Sequence, residues 1–65
     1  MICYRIYGKL KAEKRFKAFN YNDGYFVGNL IHAAFYDEKE LPMVEEAVKH
    51  LNKDNPEYEF VIRKV

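Results

Sequence analysis

Leu41, Val44, Val48 and Leu51, with Ala47 beside them, recur at helical spacing, and no other stretch of the chain sustains that period for as long. A lone amphipathic helix carries one apolar stripe, so it can cover one face of a sheet and no more. The other apolar residues alternate. Ile2, Tyr4 and Ile6 take turns with Cys3, Arg5 and Tyr7, which predicts a half-buried strand over residues 2–10, with Gly8 easing a bend. After a polar loop at 11–14, Phe16 and Ala18 alternate with Arg15, Lys17 and Phe19, and the two segments are expected to form a hairpin. Residues 20–24 end on Asp23-Gly24, a turn signal, because Gly tolerates positive φ and Asn and Asp bond their own backbone. Tyr58, Phe60 and Ile62 alternate with Glu59, Val61 and Arg63 as the last strand.

Residues 25–36 carry two conflicting signals. Leu30, Ala33 and Ala34 are compatible with a helix, but aromatic and β-branched neighbours favour a third strand with a bulge at Gly28 and Asn29. Ile31, Ala33 and Phe35 would then point one way, and Leu30, His32, Ala34 and Tyr36 the other. Asp37 followed three residues later by Glu40 has the form of a capping box, Pro42 suits a first helical turn, and Pro56 ends the helix. The expected architecture is a single α+β domain over residues 1–65, a three- to four-stranded antiparallel sheet with one helix on one face, in the order β-β-β-α-β.

A 65-residue domain has a thin core. Cys3 is the only cysteine, so no internal disulfide can form, and no Cys/His cluster offers a structural metal site; a homodimer or another partner is the remaining support. Six Tyr and five Phe exceed what a one-helix core needs. No apolar run approaches the roughly 20 residues of a membrane span, and no leader pattern is visible, so a cytoplasmic protein without membrane contact is expected.

Charge divides along the chain. Up to Tyr21, Arg5, Lys9, Lys11, Lys14, Arg15 and Lys17 face the single acid Glu13, whereas the remainder holds five basic against nine acidic residues. Those six cations form a candidate nucleic-acid surface, with aromatic rings to stack on bases. The stretch Lys14-Arg15-Phe16-Lys17-Ala18-Phe19 resembles the basic-aromatic strand of RNA recognition motifs, although that fold needs a second helix.

Catalytic chemistry is scarce. The chain contains no Ser, Thr or Gln, which removes hydroxyl nucleophiles other than Tyr and the Ser/Thr of a P-loop. Cys3 on a strand reads as a packing residue, His50 as a helix-end residue, and the acids of 38–46 as a solvated helix face. No cofactor or metal is expected, and the chain reads as non-enzymatic. If the helix covers Ile2, Tyr4, Ile6, Phe16, Ala18, Ile31, Ala33, Phe35, Tyr58, Phe60 and Ile62, alternation turns another set outward. Tyr7, Phe19, His32, Tyr36 and Arg63 are the candidate protein-binding or dimer residues of that face, since Tyr and Arg are enriched at interfaces. A third expectation is a small-ligand or sequestering oligomer whose pocket forms between chains.

Taken in order, Tyr4-Arg5-Ile6-Tyr7, Lys14-Arg15-Phe16-Lys17-Ala18-Phe19, Phe26-Val27-Gly28-Asn29-Leu30-Ile31 and Glu59-Phe60-Val61-Ile62-Arg63 resemble short uncharacterised proteins encoded by bacteriophages and mobile elements. The resemblance implies an accessory protein that binds a host or phage protein stoichiometrically, as inhibitors of host defence such as anti-CRISPR proteins do. It carries no specific site residue with it.

Overall fold

The computed structural model describes residues 2–65. Strand β1 (Cys3–Leu10) is central, and β5 (Tyr58–Lys64) lies antiparallel along one of its edges. Seven opposed pairs run from Tyr4↔Lys64 to Leu10↔Tyr58. The other edge of β1 is shared: β2 (Lys17–Asn20) pairs with its far end and β4 (Tyr36–Asp37) with its near end. Strand β3 (Tyr25–Val27) adds outside β2. Helix α1 (Leu41–Asp54) precedes β5. The fold is α+β, an antiparallel sheet with one helix, as the sequence patterning predicts.

Local chemistry sets the helix ends. The Glu40 N–H donates to Asp37 Oδ1 at 3.0 Å and the Asp37 N–H donates to Glu40 Oε1 at 3.2 Å, closing the expected capping box. The box caps a 3-10 turn, Glu38–Glu40, which leads into α1 with Pro42 in its first turn. At the other end the Asn55 side chain donates to the Leu51 carbonyl at 3.0 Å before Pro56 turns the chain.

Directly opposed residues share a face, so register fixes the core. Ile6 and Ile62 form one pair, Gly8 and Phe60 another, and Phe19 faces Phe26. The stripe of α1 closes over this side: Val44 and Val48 join Ile6, Phe19, Tyr36 and Phe60 in the buried cluster, with Leu51, Tyr58 and Ile62 at its margin. Full burial of Ile6 and Val44 removes roughly 1.5–3 kcal/mol of apolar exposure each. Gly8 is the floor. A Cβ there would stand 2.6 Å from the Phe60 ring and 3.1 Å from that of Phe26, so the rings pack only because position 8 is empty.

Two expectations are corrected. Residues 25–36 do not form one bulged strand: β3 ends at Val27, Leu30–His32 form a 3-10 turn, and the chain returns to the sheet only for the two residues of β4. The sheet therefore has five strands. Asn29 causes the break, because its side chain accepts the Ile31 N–H at 3.0 Å and caps the turn. Ile31 and Phe35, expected in the core, are 80% and 60% exposed.

The second correction concerns β2. Tyr7 lies opposite Ala18, so Ala18 turns away from α1 and Phe19 turns toward it, the reverse of the expected facing. Phe19 then meets Phe26 and Phe60 edge-on at 5.0 and 5.2 Å, contacts worth about 1 kcal/mol each beyond burial. Phe16, expected in the core, is left on the other side, with Lys9 Nζ 5.3 Å from its ring centre.

Candidate binding face

The face of β1 and β5 turned away from α1 carries Arg5, Tyr7 and Lys9 on one strand and Glu59, Val61 and Arg63 on the other. Phe16 joins them from the start of the hairpin's second arm. The Arg63 guanidinium lies 4.7 Å from the Phe16 ring centre and 5.2 Å from that of Tyr7, and Lys9 Nζ is 5.3 Å from Phe16. Such contacts hold a cation over the negative face of a ring. These contacts hold the cations and rings together within the chain itself.

Its charge is only partly neutralised. Lys9 pairs with Glu59 at 3.4 Å. Arg5 and Arg63 are directly opposed across the strands, and among the described residues neither has a carboxylate within ion-pair distance. Arg5 Nε is also buried without a hydrogen-bond partner among those residues. Asp37 shares this face, opposite Cys3, but its carboxylate accepts the Glu40 N–H and does not neutralise Arg5. Like charges placed opposite in a sheet repel, so the pair is a cost to the isolated chain that an anion would relieve.

The face is narrower than alternation alone implies. Asn20, pointing away from α1, donates from Nδ2 to the His32 carbonyl at 2.9 Å and accepts the Ala34 N–H on Oδ1 at 2.7 Å. This latch draws residues 32–34 across the outer end of β2, and Ala18, Asn20 and Ala33 are buried. With no Ser, Thr or Gln in the chain, Asn supplies the neutral side-chain hydrogen bonds at positions 20, 29, 52 and 55.

Of the five expected protein-binding residues, Tyr7 and Arg63 lie on this face. Phe19 and Tyr36 do not: they are 8% and 6% exposed, inside the core on the α1 side. For Phe19 the cause is the hairpin register; for Tyr36 it is the pairing with Tyr4 in β4. His32 is exposed but sits in the 3-10 turn rather than on a strand. The six cations expected to form one basic surface are divided. Arg5 and Lys9 stand on the open face, Lys11, Lys14 and Arg15 in the loop between β1 and β2, and Lys17 opposite Gly8 on the α1 side. Phe16 is the member that alternation missed. Its place two residues from Ala18, which faces Tyr7, becomes readable once the register is known.

Among the described residues, Tyr36 is the group whose acidity is displaced from its ordinary value. Burial pushes its phenol above the ordinary value, the Glu40 carboxylate adds to this, and the Tyr21 backbone opposes it more weakly. Its hydroxyl makes no well-formed hydrogen bond among the described residues. Gly8, Lys9, Glu13, Lys17, Phe26 and Tyr58 line a notch of about 190 Å³, and wider, open depressions of about 490 and 340 Å³ lie beside Asn52 and Glu59 and beside Ile2 and Glu38. Among the described residues, no group of three His, Cys, Asp or Glu side chains is placed to hold a metal ion, and no helix is long and apolar enough to cross a membrane.

No protein-family model, curated protein or solved structure matches this chain.

Proposed function

We propose that this chain is a non-enzymatic binding module that presents the Arg5, Tyr7, Phe16 and Arg63 face to an acidic surface of a partner protein. The observation that carries the reading is the opposed, unneutralised Arg5 and Arg63, with Arg63 already held over two rings. Holding the guanidinium in place lowers the entropy lost on binding, and Arg and Tyr are the residue types that dominate interface energetics. Stoichiometric binding of this kind is how small phage-encoded accessory proteins act, including those that inhibit host defence, and the likeness to such proteins fits a cytoplasmic role in a bacterial host.

A second reading, nucleic-acid binding, is favoured by the exposed Lys11, Lys14 and Arg15 of the hairpin loop, which have no ion-pair partner among the described residues. It is the weaker of the two, because Arg63 and Lys9 already occupy the faces of Phe16 and Tyr7 on which bases would stack.

Affinity capture from a bacterial lysate with and without nuclease treatment, with wild-type chain and an Arg5→Glu/Arg63→Glu variant as parallel baits, separates them. A protein retained by the first bait, lost from the second and released by salt supports the proposal. Identical proteins on both baits contradict it, and retention that nuclease abolishes favours the second reading.

A further inference from the structure

Backbone groups on β5 alternate in direction. The odd residues point toward β1, and the Val65 N–H continues that series to the Cys3 carbonyl at 2.8 Å, as the Lys11 N–H does to the Glu57 carbonyl at 2.9 Å. Tyr58, Phe60, Ile62 and Lys64 therefore point outward, along an edge that no other strand covers among the described residues. The upper part of the edge is closed. The Phe60 N–H donates to Asn52 Oδ1 at 2.8 Å, Asn52 Nδ2 donates to the Phe60 carbonyl at 3.0 Å, and the Tyr58 N–H donates to the Asn55 carbonyl at 2.9 Å. Asn52 thus imitates one residue of a neighbouring strand. Below it, the N–H and C=O of Ile62 and Lys64 have no partner among the described residues.

We infer that the Ile62–Lys64 edge accepts an extended acidic segment of the partner protein as an added antiparallel strand. The inference rests on the binding reading above and specifies how the partner is held. An added strand forms hydrogen-bonded pairs at Ile62 and Lys64, and its intervening residue lies opposite Arg63 in the closer, non-hydrogen-bonded type of pair. An acid there adds negative charge beside Arg63, whose guanidinium leans the other way over Tyr7 and Phe16, and with Arg5 one strand further in it lowers the like-charge cost without a direct ion pair. An apolar residue opposite Ile62 and an acid opposite Lys64 complete the match.

A second copy of this chain fits less well. Pairing Ile62 of one copy with Lys64 of the other sets two Arg63 residues directly opposite each other. Pairing Ile62 with Ile62 forces Asn52 off Phe60. Charge thus selects an acidic strand over self-association at this edge.

The test uses acetyl-Glu-Glu-Val-Val-amide and its Lys-Lys-Val-Val counterpart at millimolar concentration, read by amide shifts and hydrogen exchange of the whole chain. Three variants accompany wild type: Lys64→Pro, which removes an outward N–H without touching the β1 ladder, Lys64→Ala, which controls for charge, and Arg63→Glu. The expected result is slowed exchange at Ile62 and Lys64 with the acidic peptide only. Lys64→Pro weakens binding about tenfold, Lys64→Ala only severalfold, and Arg63→Glu reverses the peptide preference. Slowed exchange at Ile62 in wild type keeps the test decisive should Lys64→Pro perturb the fold.

Shifts confined to Arg5, Tyr7 and Arg63, with Lys64→Pro binding like wild type, would overturn strand addition while leaving the acidic-partner reading standing. Equal response to both peptides, or none, would also overturn it. Concentration-dependent protection of Ile62 without peptide would give the edge to a second copy.

Discussion

In the β1–β5 ladder, seven opposed pairs lie in continuous register, and each strand is long enough for alternation to sort its side chains between two faces. Between Tyr25 and Asp37 the chain spends only three residues in β3 and two in β4, and side-chain amides hold what lies between. The ladder is stabilised by repetition, so no single hydrogen bond matters much. The segment depends on Asn20 and Asn29, and exposes Leu30, Ile31 and Phe35 while doing so. Regular pairing builds the platform here, and point contacts trim it. The open face is what the latched segment leaves uncovered.

The largest expected effect lies in the ladder. Gly8→Val drives side-chain carbon into the Phe60 ring and should cost about 3 kcal/mol, seen as a lower denaturant midpoint; wild-type stability would break the packing account. Next is Asn20→Ala, which strips two hydrogen bonds from the segment and should cost about 2 kcal/mol. Amide exchange should accelerate over residues 32–34 more than along β1 and β5, and uniform acceleration would show that the two regions are not separable. Asn52→Ala uncovers Phe60 on the ladder's edge, where water can replace the amide, and should cost about 1 kcal/mol in chemical unfolding.

Tyr36 joins the two regions and titrates. Its phenol is raised in the folded state, so the neutral form is favoured, and its contribution is complete below about pH 10 and is lost as pH rises through the folded value. Tyr36→Phe should therefore leave stability nearly unchanged at pH 7, since the hydroxyl has no well-formed partner, and blunt the loss above pH 10 in an alkaline melt. The smallest effect is Gly28→Ala, with open space around the new methyl group; its midpoint should shift by less than about 0.5 kcal/mol.

Legibility from sequence follows the same division. Alternation from Ile2 to about Leu10 and from Tyr58 to Arg63 located β1 and β5 and placed Ile6, Phe60, Tyr7 and Arg63 on their proper sides, and Asp37 with Glu40 marked the turn that leads into the helix. Phe16, Ala18 and Phe19 alternate equally well with either side buried. Only the Tyr7↔Ala18 register, which puts Phe19 with Phe26 and Phe60 over the gap at Gly8, chooses between them. The return of residues 32–34 across β2 depends on Asn20, more than ten residues earlier, a contact that local patterning does not encode. Tyr36 followed from that error, because a two-residue strand has no alternation to read.

Arg63 reports on the open face most directly. Ring currents from Tyr7 and Phe16 should move its Nε–H resonance upfield of the random-coil position, and Phe16→Leu should reverse much of that displacement without unfolding the chain. An Arg63 resonance at the random-coil position, indifferent to residue 16, would mean that the guanidinium is not held over the rings and that no preordered cationic face exists.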